Sequence, residues 1–233
     1  MIPKKIHYCW LSNDAMPEKL QRCIDSWKMK LPDYEIIKWD LKKFPLEKSI
    51  WVRQAYERKK YAFAADYIRL YAVYNYGGIY MDMDVEVIKS FNDLLQNDYI
   101  LGYEAAKGIE AGVFGAPKQA PWVKEVLEYY TSKEFVLPNG LYNDTPLPII
   151  MDEVLNAEYI TNKKIVPLPT DFLTAKSYKT GKITITPNTY TIHHFAGSWK
   201  SWDEKIKIII ARIIGAKLTH ILGNVRRRII GKK

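Results

Sequence analysis

Cysteine is scarce in this chain: there are two in 233 residues, Cys9 and Cys23, neither in a Cys-x-x-Cys pair nor at zinc-site spacing. A disulfide framework and a cysteine-built zinc site are therefore excluded, and a reduced, cytoplasmic setting is the simpler expectation. No run of 18 apolar residues occurs, so no transmembrane helix is expected. The apolar stretch in residues 1–12 is too short for a secretory signal, so export by that route is not expected either. Glycine and proline, 12 of each, are too few for collagen-like or low-complexity sequence. With 48% hydrophobic and 26% charged residues the composition is that of a globular domain large enough to bury its own core.

Acidic residues are in deficit, 26 against 35 basic, but the excess is local. Residues 204–233 hold nine basic side chains and one acidic one, so they carry +8 of the formal +9 and leave +1 for residues 1–203. A nucleic-acid protein spreads its basic residues over the folded surface, so nucleic acid is not an expected partner. Within the tail, Ile206, Ile210, Ile213, Leu218, Ile221, Val225 and Ile229 continue one apolar stripe flanked by basic residues and closed by Arg226-Arg227-Arg228. Such a helix suits the headgroup region of an anionic membrane, and packing on the domain or on a second copy of the chain is the alternative. The expected division is one α/β domain over 1–203 and a basic amphipathic tail over 204–233.

The domain opens as strand, helix, strand. Residues 5–10 form an apolar run, Pro17 starts a helix carrying Leu20, Ile24 and Trp27 at helical spacing, and residues 34–39 form the next run. That order begins a parallel sheet. Residues 49–76 are dense in helix formers and aromatics, with Phe63, Tyr67, Leu70, Tyr71 and Tyr74 on one broad apolar face, and Gly77-Gly78 ends the helix. Residues 79–87 then read as a strand with Asp82, Asp84 and Glu86 on one face. Three such carboxylates repel one another unless something positive neutralises them. Further strands are expected near 99–104, 112–116, 164–168 and 189–195, and helices at 122–130 and 147–155.

The chemistry concentrates in two places. Asp82-Met83-Asp84 offers hard oxygen ligands of the kind that hold Mg²⁺ or Mn²⁺ beside a substrate phosphate. Alone, an Asp-x-Asp triplet is a common surface feature; here it follows Gly-Gly at a strand end, behind a helix bearing Asp66 and Arg69. These two stand three apart on one helix face and either pair at the surface or, buried among Phe63, Ala64, Ala65, Ile68 and Leu70, need a partner or a function. Trp10 and Tyr80 stand at the end of one strand run and within another, where core packing is the plain reading, and the pair His193-His194 stands near a later strand end.

Residues 63–71 and 76–84, read as FAADYIRLY and YGGIYMDMD, resemble the DXD sugar-binding region of glycosyltransferase family 32 and the catalytic domain of the large clostridial glucosylating toxins. The opening IPKKIHYCW, the block GVFGAP at 112–117 and HFAGSW at 194–199 resemble further blocks of that family, so the likeness runs from residue 2 to about 200. It implies a GT-A fold, a Rossmann-like mixed sheet flanked by helices, with a nucleotide-sugar donor, a UDP-sugar before a GDP-sugar, and Mn²⁺ or Mg²⁺. Carried onto this sequence, Trp10 would stack on the base. Asp66 and Arg69 would hold the donor sugar and diphosphate, and Tyr80 and Asp82 would contact ribose and sugar. Asp82 and Asp84 would ligate the metal together with His194, and Ser198 and Trp199 would reach the ion or the diphosphate. The implied activity is retaining transfer of a hexose to a surface polysaccharide or lipid-linked glycan, as in bacterial capsule and lipopolysaccharide synthesis, at the inner face of the cell membrane. Glu110 and Asp152 are the later acids considered for a covalent nucleophile; a front-face route needs neither. A toxin-like protein glycosyltransferase and a non-catalytic sugar-binding module are the alternatives.

Overall fold

The computed structural model describes residues 1–104, 108–163 and 165–196. The tail 204–233, with Ser198 and Trp199, lies outside them. Strand β1 (Lys5–Cys9) leads to helix α1 (Glu18–Lys30) and strand β2 (Glu35–Trp39), the expected opening. β1 pairs in parallel with β2, Lys5 opposite Glu35 through Cys9 opposite Trp39. On its other side it pairs in parallel with β3 (Gly78–Met81), which pairs antiparallel with β5 (Val113–Ala116). The sheet order is therefore β2-β1-β3-β5, a mixed sheet. A second, two-stranded sheet joins β4 (Val85–Val87) to β6 (Thr191–His193) in antiparallel fashion.

Strand alternation divides the main sheet between two cores. Tyr80 and Phe114 face the one built from α2 (Ile50–Glu57), α3 (Tyr61–Tyr76), α4 (Pro121–Glu128) and α5 (Leu147–Val154). Ile79, Met81 and Val113 face the other, which α1 supplies with Leu20, Ile24 and Trp27. Trp27 also donates its indole N–H to the Val85 carbonyl at 2.7 Å, and Ser26 Oγ accepts from the Val87 N–H at 2.9 Å. α1 thereby grips the second sheet at the residue that follows Asp84. Among the described residues no helix is long and apolar enough to cross a membrane.

Two expectations are corrected here. The helix-rich stretch 49–76 is two helices, because Lys59 adopts φ 57° and turns the chain between α2, capped by the Ser49 hydroxyl, and α3. Within α3 the fully buried residues include Ala64, Ala65, Ile68, Leu70, Ala72 and Val73 as well as Asp66 and Arg69. Phe63, Tyr67, Tyr71 and Tyr74 are only partly buried at the edge of the core. Small alanines on the inner face bring the helix close to the sheet, and that closeness encloses the two charges. The single strand expected over 79–87 is also interrupted. The chain leaves the first sheet after Met81, turns through residues 82–84 with a Val85 N–H to Asp82 carbonyl bond of 3.0 Å, and enters the second sheet.

Gly77 and Gly78, at φ 64° and 112°, make the step from α3 to β3, and a side chain on Gly78 would stand 2.7 Å from the Lys5 carbonyl. His7, wholly buried beside them, accepts the Trp39 indole N–H at Nδ1 (3.1 Å), so its Nε2 carries the proton given to the Gly77 carbonyl at 2.8 Å. Every polar atom of a neutral imidazole is thus satisfied. Burial pushes the His7 pKa down to about 4; nearby Lys5 and Lys43 act in the same direction against the Gly77 bond. Between about 4 and the ordinary value of 6.5 the unfolded chain binds the proton that the folded one refuses, so stability falls as pH drops through that window. Urea unfolding at several pH values should show about 3 kcal/mol lost to this group, with a shallower pH dependence in His7→Asn. An identical dependence in both proteins would contradict the assignment.

Candidate functional site

The site is assembled where β3 ends, where β6 ends and where α3 passes beneath. Asp66 and Arg69, each 7% exposed, are not a surface pair. Arg69 Nη2 lies 3.1 Å from Asp66 Oδ1 and 3.3 Å from Asp82 Oδ1, while Nη1 donates to the Ala111 carbonyl at 2.9 Å. Its guanidinium carbon stands 4.6 Å from the centre of the Tyr80 ring, a cation–π contact. Burial opposes the Arg69 charge, but Asp82, Tyr80 and Asp66 outweigh it and raise the pKa. For Asp66 burial dominates and raises the carboxyl to about 6 against the pull of Arg69; the Leu147 amide at the start of α5 also pulls it down. Arg69 Nε is buried without a hydrogen-bond partner among the described residues.

The three alternating acids each meet a different basic side chain. Asp82 meets Arg69, and its Oδ1 also accepts the Tyr80 hydroxyl at 2.8 Å. Asp84 Oδ1 lies 3.4 Å from His193 Nε2. Glu86 Oε2 lies 2.8 Å from His194 Nε2. Asp84 is further held by the Ala196 N–H on its Oδ2 (2.6 Å), and its carbonyl accepts the His194 N–H at 2.9 Å. Burial alone would raise the Asp84 pKa; the His193 charge, the bond to His193 and the Ala196 amide overcome it and bring the pKa down to about 2.

Ligand-capable atoms of Asp82, Asp84 and His193 lie within 4.8 Å of one another. Two carboxylates and one imidazole are donors a divalent cation such as Mn²⁺ accepts, and their convergence fits the ion. The resemblance implied His194, but the ring that faces the two aspartates is that of His193: it closes β6 and turns to Asp84, while His194, just beyond the strand, turns to Glu86. Tyr80, for which the resemblance implied a ribose contact, is 1% exposed and gives its hydroxyl to Asp82. Trp10 sits at the carboxyl end of β1, half-buried, its backbone N–H on the Trp39 carbonyl at 3.0 Å and its indole N–H on the Asp14 carbonyl at 3.3 Å.

Sequence reasoning also missed what stands behind His193. Glu110, 1% exposed, faces His193 Nδ1 at 3.2 Å. Burial would neutralise this acid, but His193, the Thr174 hydroxyl and the Gly112 amide lower its pKa. Glu110 and Asp84 together raise the His193 pKa well above the ordinary value against burial, and a cation at Nε2 would take the place of the proton held there. A side chain on Gly112 would stand 2.6 Å from His193 Cε1 and 2.8 Å from Glu110 Oε1, so the glycine keeps room for the pair. Only the block of residues 112–117 hinted at this from sequence.

Residues 17–101 match the family model described as a glycosyltransferase sugar-binding region containing DXD motif, which bears out the resemblance read from the sequence. That range includes Asp66, Arg69, Tyr80, Asp82 and Asp84, and stops short of Glu110 and His193. The chain is 32% identical over 134 residues to inositol phosphoceramide mannosyltransferase 3 of Schizosaccharomyces pombe, covering 54% of this chain and 36% of that protein. It is 25% identical over 221 residues to inositol phosphoceramide mannosyltransferase 1 of the same yeast, covering 91% of this chain and 66% of that one. The chain thus spans about a third of the first relative's length and just under two thirds of the second's. Among solved structures, the PaToxG glycosyltransferase superposes with a TM-score of 0.51 at 20% identity, over 70% of this chain and 74% of that one. The fold is the GT-A fold.

Replacing Arg69 by Met should leave Asp66 and Asp82 facing each other without their shared cation. A loss of about 3 kcal/mol or more in denaturant unfolding is expected, recovered in part when Asp66 becomes Asn in the same protein. A single variant as stable as the parent would show that the arginine does not hold the two acids.

Proposed function

We propose that this chain is a glycosyltransferase that moves a hexose from a nucleotide-sugar donor to a glycan or lipid-linked acceptor, with a divalent cation held by Asp82, Asp84 and His193. The observation that carries the proposal is the convergence of those three side chains beside the buried Asp66–Arg69–Asp82 chain of charges, all but His193 lying within the region that matches the DXD model. When bound, the cation takes up charge that develops on the leaving diphosphate.

The protein's own groups supply the rest. Arg69, kept fixed by Asp66, Asp82 and the Ala111 carbonyl, stabilises negative charge on the donor. Asp66 accepts from a sugar hydroxyl in the half-neutralised environment that Arg69 and the start of α5 create. Trp10 offers the face of its ring to the nucleobase at the end of β1. Of the two later acids suggested by sequence, Glu110 is engaged by His193, Thr174 and Gly112, and Asp152 by the Ile109 amide at 2.9 Å. That occupancy supports a front-face route. The acceptor oxygen bonds to the anomeric carbon as the bond to the diphosphate breaks, and the hydroxyl proton passes to the leaving phosphate oxygen, so configuration is retained. Relatives named as mannosyltransferases support testing GDP-mannose beside the UDP-hexoses. The basic stripe of residues 204–233 supports a position at an anionic membrane surface, where a lipid-linked acceptor resides.

Release of nucleoside diphosphate from a panel of UDP- and GDP-sugars, with Mn²⁺ and with EDTA, tests the assignment. One donor should turn over, EDTA should abolish it, and Asp84→Asn should lower the rate by about 100-fold or more. Turnover that survives both treatments would refute the cation's role. Failure of every donor to bind would leave a fold without the activity.

A further inference from the structure

Glu110 is the most enclosed acid of the site, and both of its carboxylate oxygens face one imidazole. Its own N–H is anchored to the Gly102 carbonyl at 2.8 Å. Oε1 accepts the Gly112 N–H at 2.5 Å, Oε2 accepts the hydroxyl of Thr174, and the two oxygens stand 3.2 and 3.3 Å from His193 Nδ1. Thr174 is itself buried, at the end of the short helix Thr170–Leu173. The opposite nitrogen of His193 faces Asp84, and Phe195 stacks on the imidazole at 4.2 Å with the planes 27° apart. The imidazole is therefore fixed at both edges by acids and on one face by a phenyl ring.

A histidine binds a cation through one nitrogen, and the hydrogen bond made by the other decides which. We propose that Glu110 is the positioning residue of the cation site: by accepting the Nδ1–H of His193 it commits Nε2 to the ion and holds the ring toward Asp82 and Asp84. Thr174 and the Gly112 amide fix Glu110 in turn, so the order runs from Thr174 to Glu110 to His193 to the ion. This inference rests on the cation reading above. It gives a specific reason for a carboxylate buried at 1% exposure and for a glycine at 112, where any side chain would strike both members of the pair.

The test is direct Mn²⁺ binding, followed by the loss of the free-ion electron paramagnetic resonance signal. The full chain is titrated with Mn²⁺ alone and with UDP or GDP present, and no turnover is required. Glu110→Gln keeps the size of the side chain and an acceptor for the Gly112 amide while removing the charge. Its Kd for Mn²⁺ should rise about 10- to 100-fold with the thermal unfolding transition retained. Thr174→Val should raise the Kd by less, and Asp84→Asn should abolish binding. A folded Glu110→Gln protein with the parent's Kd overturns the role of Glu110 while leaving the site intact. Equal binding by the parent and Asp84→Asn overturns the site itself, so the two failures are distinguishable. If Glu110→Gln does not fold, Thr174→Val decides, and a Kd within about twofold of the parent's overturns the relay.

Discussion

The Arg69 guanidinium, 3.1 Å from Asp66 and 3.3 Å from Asp82, joins helix α3 to the turn that follows β3. Two acids and a base buried together cost desolvation energy that only mutual pairing offsets, so each fixes where the others can be. The helix must approach the sheet closely enough for the pairing, and Ala64, Ala65 and Ala72 allow it. Asp82 must leave the strand at the point where the arginine ends. Tyr80, beneath the guanidinium, closes the arrangement by giving its hydroxyl to the same Asp82 oxygen.

From that fixed point the chain crosses to the second sheet, and the crossing is what makes a site. An uninterrupted strand would carry Asp82 and Asp84 out along one face of one sheet. The turn instead delivers Asp84 to β6, whose His193 returns from far along the chain, and α1 secures the exit through the Trp27 bond to Val85. The acids that would repel one another are assigned separate bases: Arg69 to Asp82, His193 to Asp84, His194 to Glu86. The first two assignments leave ligand atoms converging on one point, and the third keeps Glu86 out of it.

Much of this was legible in the sequence. The β1–α1–β2 opening is written in helical spacing and in Pro17, and the α3–β3 step in Gly77-Gly78, where backbone conformation admits little else. Asp66 and Arg69 declared themselves as charges among apolar neighbours, a pattern that demands a partner. The break at residues 82–84 did not show, because the alternation of apolar and acidic residues has the same period in both sheets and carries no mark of the change. The choice between His193 and His194 depended on the pairing of β4 with β6, elements that lie 108 residues apart at the Glu86–His194 contact. Glu110 was considered only as a nucleophile for a similar reason: its pairing with His193 and Thr174 comes from distant parts of the chain, and only the Gly112 amide is local. Ser198 and Trp199 lie outside the described residues.

The acids at 82, 84 and 86 are partitioned among separate bases, so that His193 and not His194 stands with Asp82 and Asp84. The most direct measurement is an anomalous difference map, recorded at the manganese edge, from crystals grown with Mn²⁺ and a nucleoside diphosphate. The account predicts a single strong peak bounded by Asp82, Asp84 and His193, with His194 still on Glu86. A peak coordinated by His194, or one lying away from Asp84, would contradict it.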